Sequence, residues 1–140
     1  MKNLSRRTVL AAVFSLTLAS TSLFAAERLR AGEWEFTTSH AKGESNTFKH
    51  CVTADEASSV NGDTKSARAY AEKKAAGRCK VTDYKVGGDT VTYAIVCGTT
   101  SIRSTATYHG DTSEGDLFTT RDGGPEVVSH VKARRLGNCP

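Results

Sequence analysis

The chain has 140 residues and carries 19 Lys and Arg against 15 Asp and Glu, a formal net charge of +4. That length fits one domain beside any targeting segment. Setting aside residues 1–26, with Lys2, Arg6 and Arg7 and no acid, leaves 16 basic against 15 acidic side chains, a net of +1. This near-neutral balance argues against a nucleic-acid partner.

Residues 1–26 have the layout of a secretory signal peptide: a basic start, an apolar run from Thr8 to Leu18, then small residues before Ala25, Ala26 and Glu27. The run is too short to anchor the mature chain across a bilayer. A Sec-type signal is expected, with cleavage after Ala25 or Ala26. Ser5-Arg6-Arg7-Thr8-Val9-Leu10 also resembles a twin-arginine signal, the alternative route. The expected location is the periplasm, and 27–140 form a single domain with no transmembrane segment.

Gly32 to Ser39 alternates, with Trp34 and Phe36 on one side and Glu33, Glu35 and Thr37 on the other, the pattern of a half-buried strand. Thr47 to Val52 is a second strand, with Phe48 and Val52 opposite Cys51. Thr53-Ala54-Asp55-Glu56 is a capping box that opens a short helical turn. Asn61-Gly62-Asp63 breaks the chain. Thr64 to Ala76 then reads as the one inserted helix, with Ala67, Tyr70, Ala71 and Ala75 as its apolar stripe and Gly77 as its stop.

Cys79 to Cys97 reads as a β-hairpin around Gly87-Gly88-Asp89. A three-residue turn sets Val86 opposite Thr90, Asp83 opposite Tyr93 and Cys79 opposite Cys97. Ser101 to Tyr108, Glu114 to Thr120 and Val127 to Arg134 supply the remaining strands, separated by Gly110-Asp111 and Asp122-Gly123-Gly124-Pro125 turns. The fold class is mainly β: an antiparallel meander of about seven strands forming a small barrel or sandwich, with two disulfides.

Four cysteines in an exported chain allow three pairings. The hairpin register favours Cys79–Cys97, because directly opposed strand residues lie within disulfide reach. Cys51–Cys139 follows by elimination. Each bridge stabilises by ~3 kcal/mol, which offsets a thin apolar core. Zinc is disfavoured by the lack of any C-x-x-C pair, and His40, His50, His109 and His130 share no ligand spacing. No metal and no cofactor are therefore expected. A His50-Cys51 ligand pair reads more simply as a strand residue beside a disulfide.

The ordered set Gly32-x-Trp34-Glu-x-Thr-Thr, Cys51-Val-Thr, Cys79-Lys-Val-Thr-Asp, Val86-x-Gly88-x-Thr90-Val91, Cys97, Tyr108-x-Gly110-Asp111-x-x-Glu114-Gly115 and Arg134-Arg135-Leu136-Gly137-x-Cys139 resembles the small exported bacterial family catalogued as domain of unknown function 3617. The resemblance implies an exported, cysteine-stapled β domain and brings no activity. Members often carry a methionine- and proline-rich stretch before the first cysteine. Ala41 to Asn46 stands there in this chain, and Met1 is its only methionine, so a thioether metal role is unsupported.

No G-x-S-x-G elbow or telling acid pair is present, and the glycine pairs lack the helix and lysine of a phosphate loop. No catalytic residue is assigned and the protein is not expected to be an enzyme. The candidate basic binding face is Lys65, Arg68, Lys73, Lys74, Arg78 and Lys80, with Glu72 the only acid among them, suited to an anionic envelope surface or an acidic protein. A solvated helix face is the plainer reading of the same charges. Trp34, Phe36, Phe48, Tyr70, Tyr84, Tyr93, Tyr108 and Phe118 could line a ligand cup, although the small apolar inventory favours their filling the core. The functional expectation is a non-catalytic binding module for an envelope component or protein partner. The alternative is a carrier of a small apolar ligand inside a curved sheet.

Overall fold

The computed structural model describes residues 27–140, so the signal peptide expected over residues 1–26 lies outside the described residues. Seven strands form one antiparallel sheet: β1 Gly32–His40, β2 Ser45–Val52, β3 Lys80–Gly87, β4 Thr90–Cys97, β5 Thr100–Tyr108, β6 Thr112–Arg121 and β7 Val127–Gly137. Two helices, α1 Ala54–Asn61 and α2 Thr64–Ala75, join β2 to β3. The strand order is β2-β1-β7-β6-β5-β4-β3. β3 to β7 make the expected meander, and the β1–β2 hairpin adds to the free side of β7. The sheet stays open, with β2 and β3 as its edges, and does not close into a barrel.

The helical stretch is a pair rather than one insert. Thr53 caps α1 as a full capping box: its hydroxyl accepts from the Glu56 N–H, and the Glu56 carboxylate accepts from the Thr53 N–H at 2.8 Å. Asp63 caps α2 by accepting from the Ser66 N–H at 2.8 Å. The extended backbone of Gly62 separates them. Because β2 and β3 lie at opposite edges, this pair has to span one face of the sheet.

The registers place Trp34, Phe36, Phe48, Val81, Tyr84, Val91, Tyr93, Ile95, Tyr108, Val131 and Ala133 on that same face. Trp34 is completely buried and donates its indole N–H to the Arg30 carbonyl at 2.9 Å. Leu29, Val52, Ala57 and Ala133 pack with it. Asn61 holds the incoming chain through a reciprocal pair of bonds with the Leu29 backbone, at 2.9 and 2.8 Å. Arg28 donates to the carbonyls of Val60, Gly62 and Gly88, tying the α1–α2 junction to the β3–β4 turn. At Gly115 a β-carbon would collide with the Thr105 carbonyl oxygen and lie 2.8 Å from the Ala106 Cα. Only glycine permits this close approach of β5 and β6.

Both disulfides form as expected, Cys79–Cys97 and Cys51–Cys139, with Cα atoms 4.2 and 5.5 Å apart. The hairpin register differs from the expected one. Its turn has two residues, Gly88 and Asp89, with φ of 58° at Gly88, the glycine-first arrangement of a II′ turn. Val86 therefore faces Val91, Asp83 faces Ala94 and Tyr84 faces Tyr93. A bulge at Thr82 then shifts the register by one, so Lys80 faces Val96 and the cysteines meet after all. Each bridge secures an edge of the sheet. Cys79 leads into β3, and Cys51 sits on β2, which β1 separates from the chain end.

Candidate functional site

α2 and β3 pack side by side, because Val86 donates its N–H to Thr64 Oγ1 at the start of the helix and Cys79 follows its end. Between this helix pair and the sheet lies a cleft of about 440 Å³. Its sheet wall is Val81, Tyr84, Val91, Tyr93, Ile95 and Tyr108. Its helix wall is Val60, Tyr70, Ala71 and Ala75, with Glu56 and Lys74 supplying the charges. The stripe Tyr70, Ala71, Ala75 read from the sequence thus faces the cleft, while Ala67 is buried. All four tyrosines of the chain line this one space.

The tyrosines gather because β3, β4 and β5 each present one on the same face. Tyr84 and Tyr93 are directly paired across strands, their rings stacked at 6.1 Å with an interplanar angle of 17°. Burial pushes the Tyr108 phenol up to about 12, helped by Tyr93 and Tyr84, while Arg28 opposes the shift. Tyr84 is raised too, by burial first and then by Tyr93, again opposed by Arg28. Tyr84 and Tyr108 therefore stay neutral at ordinary pH and can offer a hydroxyl donor on an apolar ring. Burial alone would raise the Glu56 carboxyl; the Thr53 backbone N–H, His50 and the Thr53 hydroxyl outweigh it and hold it below its ordinary value.

The six basic residues run along α2 and into the start of β3. Lys74 stands over the Tyr70 ring at 5.5 Å, beside the cleft. Arg68 pairs with Glu72 at 2.8 Å. Arg78 donates to the Lys74 carbonyl at 3.5 Å, near the end of α2. Lys65 and Lys73 are exposed on α2 and Lys80 begins β3. Among the expected site residues the structure brings Lys74 and Cys79 to the cleft. Of the eight aromatics that the sequence offers for a ligand cup, Tyr70, Tyr84, Tyr93 and Tyr108 line this cleft, whereas Trp34 is buried in the core. His50 bonds to Glu56 at 3.3 Å and Cys51 is consumed by its disulfide, so the pair His50-Cys51 is not a ligand set.

Among the described residues no group of three His, Cys, Asp or Glu side chains gathers as a metal site, and no helix is long and apolar enough to cross a membrane. What fold and cleft define is a small disulfide-stapled antiparallel β domain whose helical crossover roofs an apolar, tyrosine-rich space. The chain belongs to the family described as Protein of unknown function (DUF3617), whose model matches residues 29–139. That span holds both helices, all seven strands and all four cysteines. No curated protein matches the chain.

Proposed function

We propose that this protein is a non-catalytic binding module of the cell envelope, and that the component it holds is a small, elongated, largely apolar molecule seated between the helix pair and the sheet. The observation that carries this reading is the convergence of four tyrosines, three aliphatic strand residues and the alanine stripe of α2 on one cleft. Ligand sites combine such apolar walls with a few placed polar groups. Here those groups are the tyrosine hydroxyls, the Lys74 ammonium and, already engaged by Thr53 and His50, the Glu56 carboxylate. The lysine would meet an anionic or strongly polar end, so the favoured ligand is a single-chain amphiphile. An exported location rests on the signal-like residues 1–26.

Isothermal titration with single-chain amphiphiles, matched in chain length but with carboxylate or neutral heads, tests the reading. Saturable binding is expected, with the carboxylate preferred. Ala71→Trp or Ala75→Phe, each placing bulk in the cleft, is expected to abolish it while leaving the fold intact by circular dichroism. Binding unchanged in both folded variants would refute the site.

A further inference from the structure

The two edges of the sheet are finished differently. In β3 the outward N–H groups are taken internally: Val86 donates to Thr64 Oγ1 at 3.0 Å and Tyr84 to Asp83 Oδ1 at 3.0 Å. A bulge at Thr82 and the charges of Lys80, Asp83 and Lys85 further spoil that edge for pairing. β2 has no bulge and one formal charge, Lys49. It pairs with β1 from Gly32↔Val52 to Ser39↔Ser45 without a register shift.

The hydrogen-bond phase tells which β2 groups face outward. His40 donates to the Glu44 carbonyl at 2.9 Å, so the even-numbered residues of β2 bond to β1. Arg135 donating to Asp111 at 2.8 Å, in the β7–β6 ladder two strands further in, fits the same phase. Ser45, Thr47, Lys49 and Cys51 therefore present both N–H and C=O to the open side. No side chain among the described residues takes those N–H groups.

We propose that β2 is a self-association edge, pairing antiparallel with β2 of a second copy about a two-fold axis at Phe48. This register sets Ser45 opposite the partner's Cys51 and Thr47 opposite the partner's Lys49, and it uses all four outward residues of each strand. Moving the axis to Lys49 would oppose two ammonium groups, which is unfavourable. Moving it to Thr47 would leave Cys51 unpaired. At the Phe48 axis the two rings fall in a non-hydrogen-bonded pair, where side chains lie closest. Phe48 is 49% exposed in the single chain and already stacks on Phe36 at 5.2 Å with an interplanar angle of 11°. Pairing extends that stack into a four-ring ladder on the helix-bearing face. An isologous, closed two-fold contact of this kind makes a dimer with a continuous fourteen-stranded sheet, its outer edges both being the guarded β3.

Sedimentation velocity across a wide concentration range, on the purified disulfide-intact protein, reads the proposal. A concentration-dependent doubling of mass is expected. Thr47→Pro removes an outward N–H that the monomer does not use, so it should leave the fold intact and weaken self-association at least tenfold. Phe48→Cys should cross-link to a covalent dimer under mild oxidation, while Lys49→Cys should cross-link far less. A strictly monomeric protein at millimolar concentration would overturn the proposal. So would a dimer indifferent to Thr47→Pro, or equal cross-linking at both positions. A β2 edge protected from hydrogen exchange in a protein shown to be monomeric would mean that a segment of its own chain covers it, and would equally overturn the proposal.

Discussion

Removing both partners of each disulfide in turn separates their contributions. Cys51–Cys139 spans 88 residues and Cys79–Cys97 spans 18. Loop-closure entropy then gives about 4.5 kcal/mol for the long bridge and about 3 kcal/mol for the short one. The short bridge, left in place, trims the long loop's effective length and takes only a few tenths from that figure. A domain of this size has a total stability of roughly 6–17 kcal/mol, so either loss is a large share. Cys51→Ala with Cys139→Ala should therefore lose about 1 to 1.5 kcal/mol more than Cys79→Ala with Cys97→Ala. Urea unfolding followed by Trp34 fluorescence is the assay, since Trp34 is the only tryptophan and is fully buried. The reverse order, with the short bridge costing more, would refute the entropic reasoning. It would show that Cys79–Cys97 acts mainly by holding α2 against β3 in the folded state.

Four further outcomes are expected. Between about pH 10 and pH 12 the unfolded chain ionises its tyrosine while folded Tyr108 stays protonated, so stability present below pH 10 falls through that window, by roughly 2–3 kcal/mol for this residue; Tyr108→Phe should flatten that part of a pH-dependent denaturation series. Glu56 titrates below its ordinary value, so its support of α1 is present above that value and is lost as pH falls through the folded-state value. Thr53→Ala should lower stability by about 1 kcal/mol at neutral pH in chemical denaturation. Gly115→Ala puts a methyl against the Thr105 carbonyl and should cost about 1–3 kcal/mol, measured in the same way.

The strands were legible because each half-buried run alternates cleanly, as Trp34 and Phe36 do against Glu33 and Glu35. Both helix caps were legible for the same local reason. The β1–β7 pairing that sets the strand order was not, since it joins segments about a hundred residues apart and no local pattern encodes it. Cys79 and Cys97 are opposed because a two-residue turn and a one-residue bulge offset each other in register. A bulge at Thr82 is invisible in a Lys-Val-Thr-Asp run, and the turn length differed by one. The candidate site was legible only in parts. The α2 stripe and the strand parities were readable, but their meeting in one cleft depends on the crossover of α1 and α2 between the two sheet edges. The partners of the basic residues were not legible either: Lys74 stands over Tyr70 and Arg68 pairs with Glu72.

The central claim is that the tyrosine-lined cleft holds a small apolar molecule. Native mass spectrometry of the protein purified under non-denaturing conditions from the cells that make it tests this most directly. The account expects a retained mass, released on unfolding and missing from folded Ala71→Trp. An empty wild-type protein that also binds no single-chain amphiphile on titration would contradict it.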